Sequence, residues 1–210
     1  MNYLQRISLS ILLLASGSLQ AANFCGDLKN GYGPFDYRKR AEFAREFETV
    51  EGAHFTEEVE NGTKGSSGYI GGDLDYTLRA IPNHHRALAA MVRIALRQKT
   101  IMVSGAKYPV ECYFNRAVRL APDDGAVLAA YGNYLFALGK SDQAFPMFRD
   151  AAALEPEDPT IAYNLGLAYF RKKDYSQALV FAKQAYAKNF PLPGLKNKLI
   201  EAGKWDDKAE

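Results

Sequence analysis

Two thiols, three imidazoles and a few carboxylates are the side chains of this 210-residue sequence whose types could carry chemistry. Cys25 and Cys112 are its only cysteines, and they stand too far apart for a Cys-x-x-Cys redox or metal motif or a haem-attachment signature. The histidines are His54, His84 and His85. Adjacent residues on a helix point about 100° apart, so His84 and His85 do not readily chelate one ion and read as polar residues opening a helix. No nucleophile stands beside any of the three in a recognisable catalytic signature. Glu57, Glu58, Asp73 and Asp75 read as a solvated surface rather than an acid/base pair. The expectation is a protein that is not an enzyme and holds neither cofactor nor metal. The alternative built from these side chains is a small metal-binding or redox protein using Cys25, Cys112 and His54.

What the thiols do depends on where the chain goes. Residues 1–22 carry the parts of a secretory leader: Arg6, an apolar run from Ile7 to Ala15, and small residues at Ala21 and Ala22, with cleavage expected after one of the last two. The run is shorter than the roughly 20 residues that span a bilayer, and no other stretch approaches that length. Phe24 stands where the bacterial lipid-attachment box needs a small residue, which argues against a lipid on Cys25. In an oxidising compartment two cysteines permit one pairing, Cys25 with Cys112, closing a loop of about 88 residues. Charge points to no partner. The formal +2 falls to about +1 without Arg6, which gives no ground for nucleic-acid binding.

The elements that position these groups follow a repeat. Between Gly125 and Leu192 the chain superposes on itself at a shift of 34 residues: Gly132 on Gly166, Phe136 on Phe170, Gln143 on Gln177, Ala144 on Ala178, and Ala151 on Ala185. Such a period predicts stacked helix pairs. Leu128, Tyr131, Gly132 and Leu135 share one stripe of a first helix, and Ala144, Phe148 and Ala151 share one stripe of a second. Gly132 and the alanines let the backbones approach, and Phe148 and Leu128 fill the space beside them. Val110, Phe114, Ala117 and Pro122 stand one period before Ala144, Phe148, Ala151 and Pro156, which adds a degenerate unit with Val92 at the Gly place. Pro146, one turn into a helix, removes one backbone bond. Asp73 to Ile81 reads as the second helix of a half repeat, 73–82, whose first helix is missing.

Residues 23–72 read as an arm with short helices. The Gly- and aromatic-rich 23–37 is expected to lie on the first helix pair as a lid, with Tyr32, Phe35 and Tyr37 packing rather than binding a ligand. A helix is expected over 38–51 and a shorter one from Thr56. Gly62 to Gly72, with five glycines and two serines in eleven residues, reads as a mobile surface loop, and Asn61-Gly62-Thr63 is a glycosylation sequon. Residues 194–210 read as a capping helix, with Leu195 and Leu199 inward, and a frayed tail.

Residues 125–192 resemble the tetratricopeptide repeat, in which a bulky residue, Leu, Gly and Tyr on the first helix precede Ala, Phe, Ala and Pro on the second. The resemblance implies an all-α solenoid with repeats at about 85–122, 125–158 and 159–192 within 73–193, an irregular N-terminal arm and a C-terminal capping helix. It also implies a surface for holding other proteins. The first-helix positions that line the concave side in such repeats correspond here to Arg86, Arg93 and Arg97, to Asn133 and Phe136, and to Tyr163, Phe170 and Arg171, with Asn164 beside them. Asn133 and Asn164, 31 residues apart, partly match the family's arrangement for clamping a peptide's terminal carboxylate, with Ala129 where that arrangement has Lys. The occupant implied is another protein or peptide, acidic or C-terminal. Reversing charge at Arg93 and Arg97 is then expected to weaken its capture and leave melting unchanged.

The chain also resembles bacterial exported proteins that carry Cys25-Gly26, the Tyr-Gly-Pro-Phe-Asp-Tyr of Tyr32 to Tyr37, Asp73 to Ala80, and Asn83 to Leu88. That resemblance implies a periplasmic or secreted location and no activity. The resulting expectation is a periplasmic protein-binding adaptor or scaffold in cell-envelope assembly or secretion, without nucleic acid and without a membrane span. The sequence does not set its oligomeric state.

Overall fold

The computed structural model describes residues 24–206, so the leader expected over 1–22 and the tail 207–210 lie outside the described residues. Every regular element among the described residues is helical. After a 3-10 turn at Tyr37–Lys39 come α1 (Ala44–His54), α2 (Glu57–Asn61), α3 (Ile70–Ala80), α4 (His85–Gln98), α5 (Val110–Leu120), α6 (Gly125–Ala137), α7 (Ser141–Leu154), α8 (Pro159–Arg171), α9 (Tyr175–Ala187) and α10 (Gly194–Glu201). From α2 onward each helix touches the next, and α2, α4, α6, α8 and α10 also touch in series. These five form one layer and α3, α5, α7 and α9 pair with them from the other side. The molecule is a solenoid of helical repeats.

Polar caps start the repeats. Asp124, Asp158 and Asp174 accept hydrogen bonds from Val127 N, Ile161 N and Gln177 N, which satisfies amides that a helix start otherwise leaves open. Pro159 opens α8, where its missing N–H costs nothing. At the α6–α7 crossing Gly132 lies so close to Phe148 that a Cβ would sit 2.7 Å from the ring. Helix α7 runs through Pro146 without ending.

The main core joins α2 to α6 through Val59, Leu74, Leu78, Met91, Phe114 and Tyr134, all buried. A second cluster of Ala178, Ala182, Leu195 and Leu199 closes the C-terminal end, where α10 covers α8 and α9.

The arm lies on α3 and α5. A disulfide joins Cys25 to Cys112 with the Cα atoms 5.0 Å apart. Arg116 donates to the Asp27 carbonyl at 2.5 Å, Arg119 to that of Gly26 at 2.7 Å, and Phe35 N to that of Ala80 at 2.9 Å. Tyr32, Phe35, Tyr37 and Phe43 close over Phe47, Val50, Ala80 and Ile81.

Three details differ from expectation. Helix α1 begins at Ala44 rather than at 38, because Asp36 caps the 3-10 turn and the chain turns again before Ala44. The Gly-rich stretch is pinned: Ser66 N and Ser67 N donate to Asp73 Oδ2 at 2.7 and 3.2 Å, and Ser67 Oγ to Asp73 Oδ1 at 2.5 Å. Helix α3 accordingly starts at Ile70. Helix α2, packed on α3 and α4 through the buried Val59, stands where the half repeat was expected to lack a first helix.

Candidate functional site on the first-helix layer

The arginines Arg86, Arg93 and Arg97 share one face of α4, and α2 lies across it. Arg86 pairs with the Glu60 carboxylate, its Nε at 2.8 Å from Oε1, while Arg93 donates to the Glu60 carbonyl. Arg97 donates to the Gly62 carbonyl at 2.8 Å. Gly62 has a left-handed φ of +70°, and a Cβ there would meet Ile94 at 2.9 Å, so glycine lets the end of α2 settle onto α4. Sequence placed the three arginines on one face but held no sign of what lies over it.

The next two first helices are open. Asn133 on α6 is exposed and Phe136 is partly buried. Arg171 on α8 lies over the Phe136 ring with Cζ 3.6 Å from the centroid and reaches the Phe136 carbonyl at 3.4 Å. Phe170 meets Tyr175 edge-on at 5.3 Å. Tyr163 is taken up by its own end of the molecule, 8% exposed and 4.5 Å from the ring of Phe190. Asn164 is 9% exposed, and its side chain makes no hydrogen bond to any other described residue. The structure thus divides the nine expected site residues into an arginine set held by α2, an open set of Asn133, Phe136, Phe170 and Arg171 on α6 and α8, and two buried residues, Tyr163 and Asn164.

The imidazoles are structural. His84 caps α4: Nδ1 accepts from Ala87 N at 3.1 Å, so the proton sits on Nε2, which donates to Glu51 Oε1 at 3.0 Å. Burial pushes its pKa below the usual imidazole value, against the pull of Glu51. Burial would raise Glu51, but Arg40 and His84 hold it down at about 2. His85 Nε2 lies 2.9 Å from Asp124, and His54 Nδ1 lies 3.0 Å from Asp73.

The hub that sequence reasoning missed is Asn83, fully buried, which accepts from Tyr37 N at 2.8 Å and donates to Asp36 at 2.7 Å and Asp124 at 2.9 Å. It ties the arm to the starts of α4 and α6. Asp73 and Asp75, expected on a solvated surface, are buried: Asp75 accepts from Tyr113 Oη at 2.6 Å and Arg79 Nε at 2.8 Å. Asp75 draws on Tyr113, 38 residues away, and Asp73 on the Ser66 and Ser67 of the Gly-rich stretch, pairings that no helical or repeat pattern announces. The thiols that the metal or redox alternative requires are bonded to each other.

On the opposite layer a cleft of about 260 Å³ lies between α7, α8 and α9, lined by Ala152, Leu165, Tyr169 and Phe181, with Gln184 already donating to the Pro156 carbonyl.

A tetratricopeptide repeat family model matches residues 135–190, from the end of α6 to just past α9. That segment is similar to a tetratricopeptide repeat. Its match includes Phe136, Tyr163, Asn164, Phe170 and Arg171, and tetratricopeptide repeats generally mediate protein–protein contacts. No curated protein matches the chain.

Proposed function

We propose that this chain is an exported, periplasmic adaptor or scaffold, serving cell-envelope assembly or secretion, which holds an acidic or C-terminal segment of another protein against α6 and α8. It binds and does not catalyse. The observation that carries the reading is the open stretch of α6 and α8, where the exposed Asn133 and Arg171 stand on neighbouring first helices and Arg171 lies over the Phe136 ring. The Asn164 side chain makes no hydrogen bond to any other described residue, so its amide is available to a peptide group beside that stretch. The Arg171–Phe136 stack and Phe170 would supply a cation and apolar rings beside it. The leader-like N-terminus and the disulfide support an oxidising compartment.

The test is a peptide array of C-termini from envelope proteins, each made as the free acid and as the amide. Free acids should be retained over amides, and Asn133→Ala with Asn164→Ala should weaken retention by roughly tenfold or more. Equal retention of acids and amides, or by the double variant, would count against the clamp.

A further inference from the structure

The loops at 62–69 and 99–109 meet at one edge of the molecule. A Cβ on Gly105 would lie 2.6 Å from that of Tyr69, so the two backbones are in contact there. This edge carries apolar side chains that no other part of the fold covers: Tyr69 is 72% exposed, Ile101 66% and Met102 44%. Their exposure is built in. Thr100 Oγ1 donates to the Met102 carbonyl at 2.8 Å and accepts from Met102 N at 3.1 Å, Val110 N donates to the Ile101 carbonyl at 2.9 Å, and Val103 is buried. Val103 anchors the turn while Ile101 and Met102 stand on its outer side.

The charged residues of the loops themselves are of one sign. Lys64, Lys99 and Lys107 are the charged residues of the two loops, which contain no Asp or Glu. Lys107 lies over the Tyr108 ring at 5.4 Å, and the carboxylate of Glu58 lies near Lys64. The adjoining Arg93 and Arg97 are committed to α2.

We infer that this edge is a contact surface for an anionic phospholipid bilayer, with Ile101, Met102 and Tyr69 entering the headgroup layer and the lysines meeting lipid phosphates. Two neighbouring apolar side chains on a rigid projecting turn remove area from water when they enter a soft interface, and tyrosine suits that depth. Each lysine near the surface adds attraction to anionic lipid. The carboxylates that reach the loops are buried, Asp73 under Ser66 and Ser67 and Asp75 under Lys107 N, or lie beside Lys64, which leaves Lys99 and Lys107 to meet an anionic bilayer. The contact is peripheral, since no helix among the described residues is long and apolar enough to cross a membrane. It lies on different helices and loops from the peptide face of α6 and α8, so the two readings stand or fall separately.

The test uses Ile101→Trp in the full chain, mixed at low salt with vesicles of brominated phosphatidylglycerol and phosphatidylcholine. The unsubstituted protein, with its single Trp205, gives the background. The introduced ring should be quenched by anionic vesicles and released by salt or by purely zwitterionic ones. Lys99→Gln and Lys107→Gln should each raise the lipid needed for half-quenching by about fivefold. Unchanged thermal melts would show that these exposed substitutions leave the fold intact. Quenching no greater than the Trp205 background, or quenching that the lysine variants leave unchanged, would overturn the inference.

Discussion

Gly132 and Gly166 hold the same place in successive repeats and face different neighbours. A Cβ on Gly132 would meet the Phe148 ring at 2.7 to 3.0 Å, while one on Gly166 would meet a Leu195 methyl at 2.5 Å. Both side chains are fully buried, but Phe148 meets the Cβ with its rigid ring, whereas Leu195 meets it with the end of a flexible side chain on the short capping helix. Gly132→Ala should therefore lower stability by about 1–3 kcal/mol and Gly166→Ala by less, as ranked by denaturant melts. His84 makes stability depend on pH. Its folded pKa lies below its ordinary 6.5, so its contribution is present above that value and is lost as pH falls below it. Glu51, held at about 2 against an ordinary 4.5, adds a second loss between those values. His84→Asn keeps a side chain able to cap α4 and does not titrate, so its melting temperature should stay flat where that of the unsubstituted protein first declines. Parallel curves for the two proteins would contradict this.

Among the elements, α2 shows what periodicity cannot reach. Five residues are too few to carry a helical stripe or to be stable alone, yet Val59 and three arginines from a distant helix hold them in place. Arg93→Glu with Arg97→Glu should accordingly lower the stability of the fold by about 1 kcal/mol, a modest figure because both side chains are largely exposed, rather than leave melting unchanged. The Gly-rich stretch escaped for a related reason: its amides bond a buried aspartate, and composition records the glycines without their acceptor. Where two full helices repeat at a fixed period, as in α6 to α9, crossing, core and turns were all legible. The arm is held by the disulfide as well as by Arg116 and Arg119. Closing its loop of 87 residues corresponds to roughly 4.5 kcal/mol in the chain-entropy account, with about 2–4 kcal/mol the usual range. Cys112→Ser should melt earlier under oxidising conditions and expose residues 24–36 to protease; equal melting and equal protection would show the bond to be unimportant.

Across the whole molecule, the first-helix layer is closed at one end by α2 and at the other by α10 and Phe190, which leaves α6 and α8 as the open stretch. Repeat positions were enough to name Asn133, Phe136, Asn164, Phe170 and Arg171. They could not show that Arg86 and Arg97 are engaged by groups 26 and 35 residues away in sequence, because such pairings follow from the path of the chain rather than from any local pattern. The most direct measurement is capture from a native envelope extract by the immobilised protein, compared with Asn133→Ala, Asn164→Ala and Arg171→Ala combined and with Cys112→Ser as a control away from that face. The account predicts a defined protein retained by the parent and the control and lost by the triple variant, with helicity unchanged. The same protein retained equally by the triple variant would place the binding surface elsewhere and contradict the account.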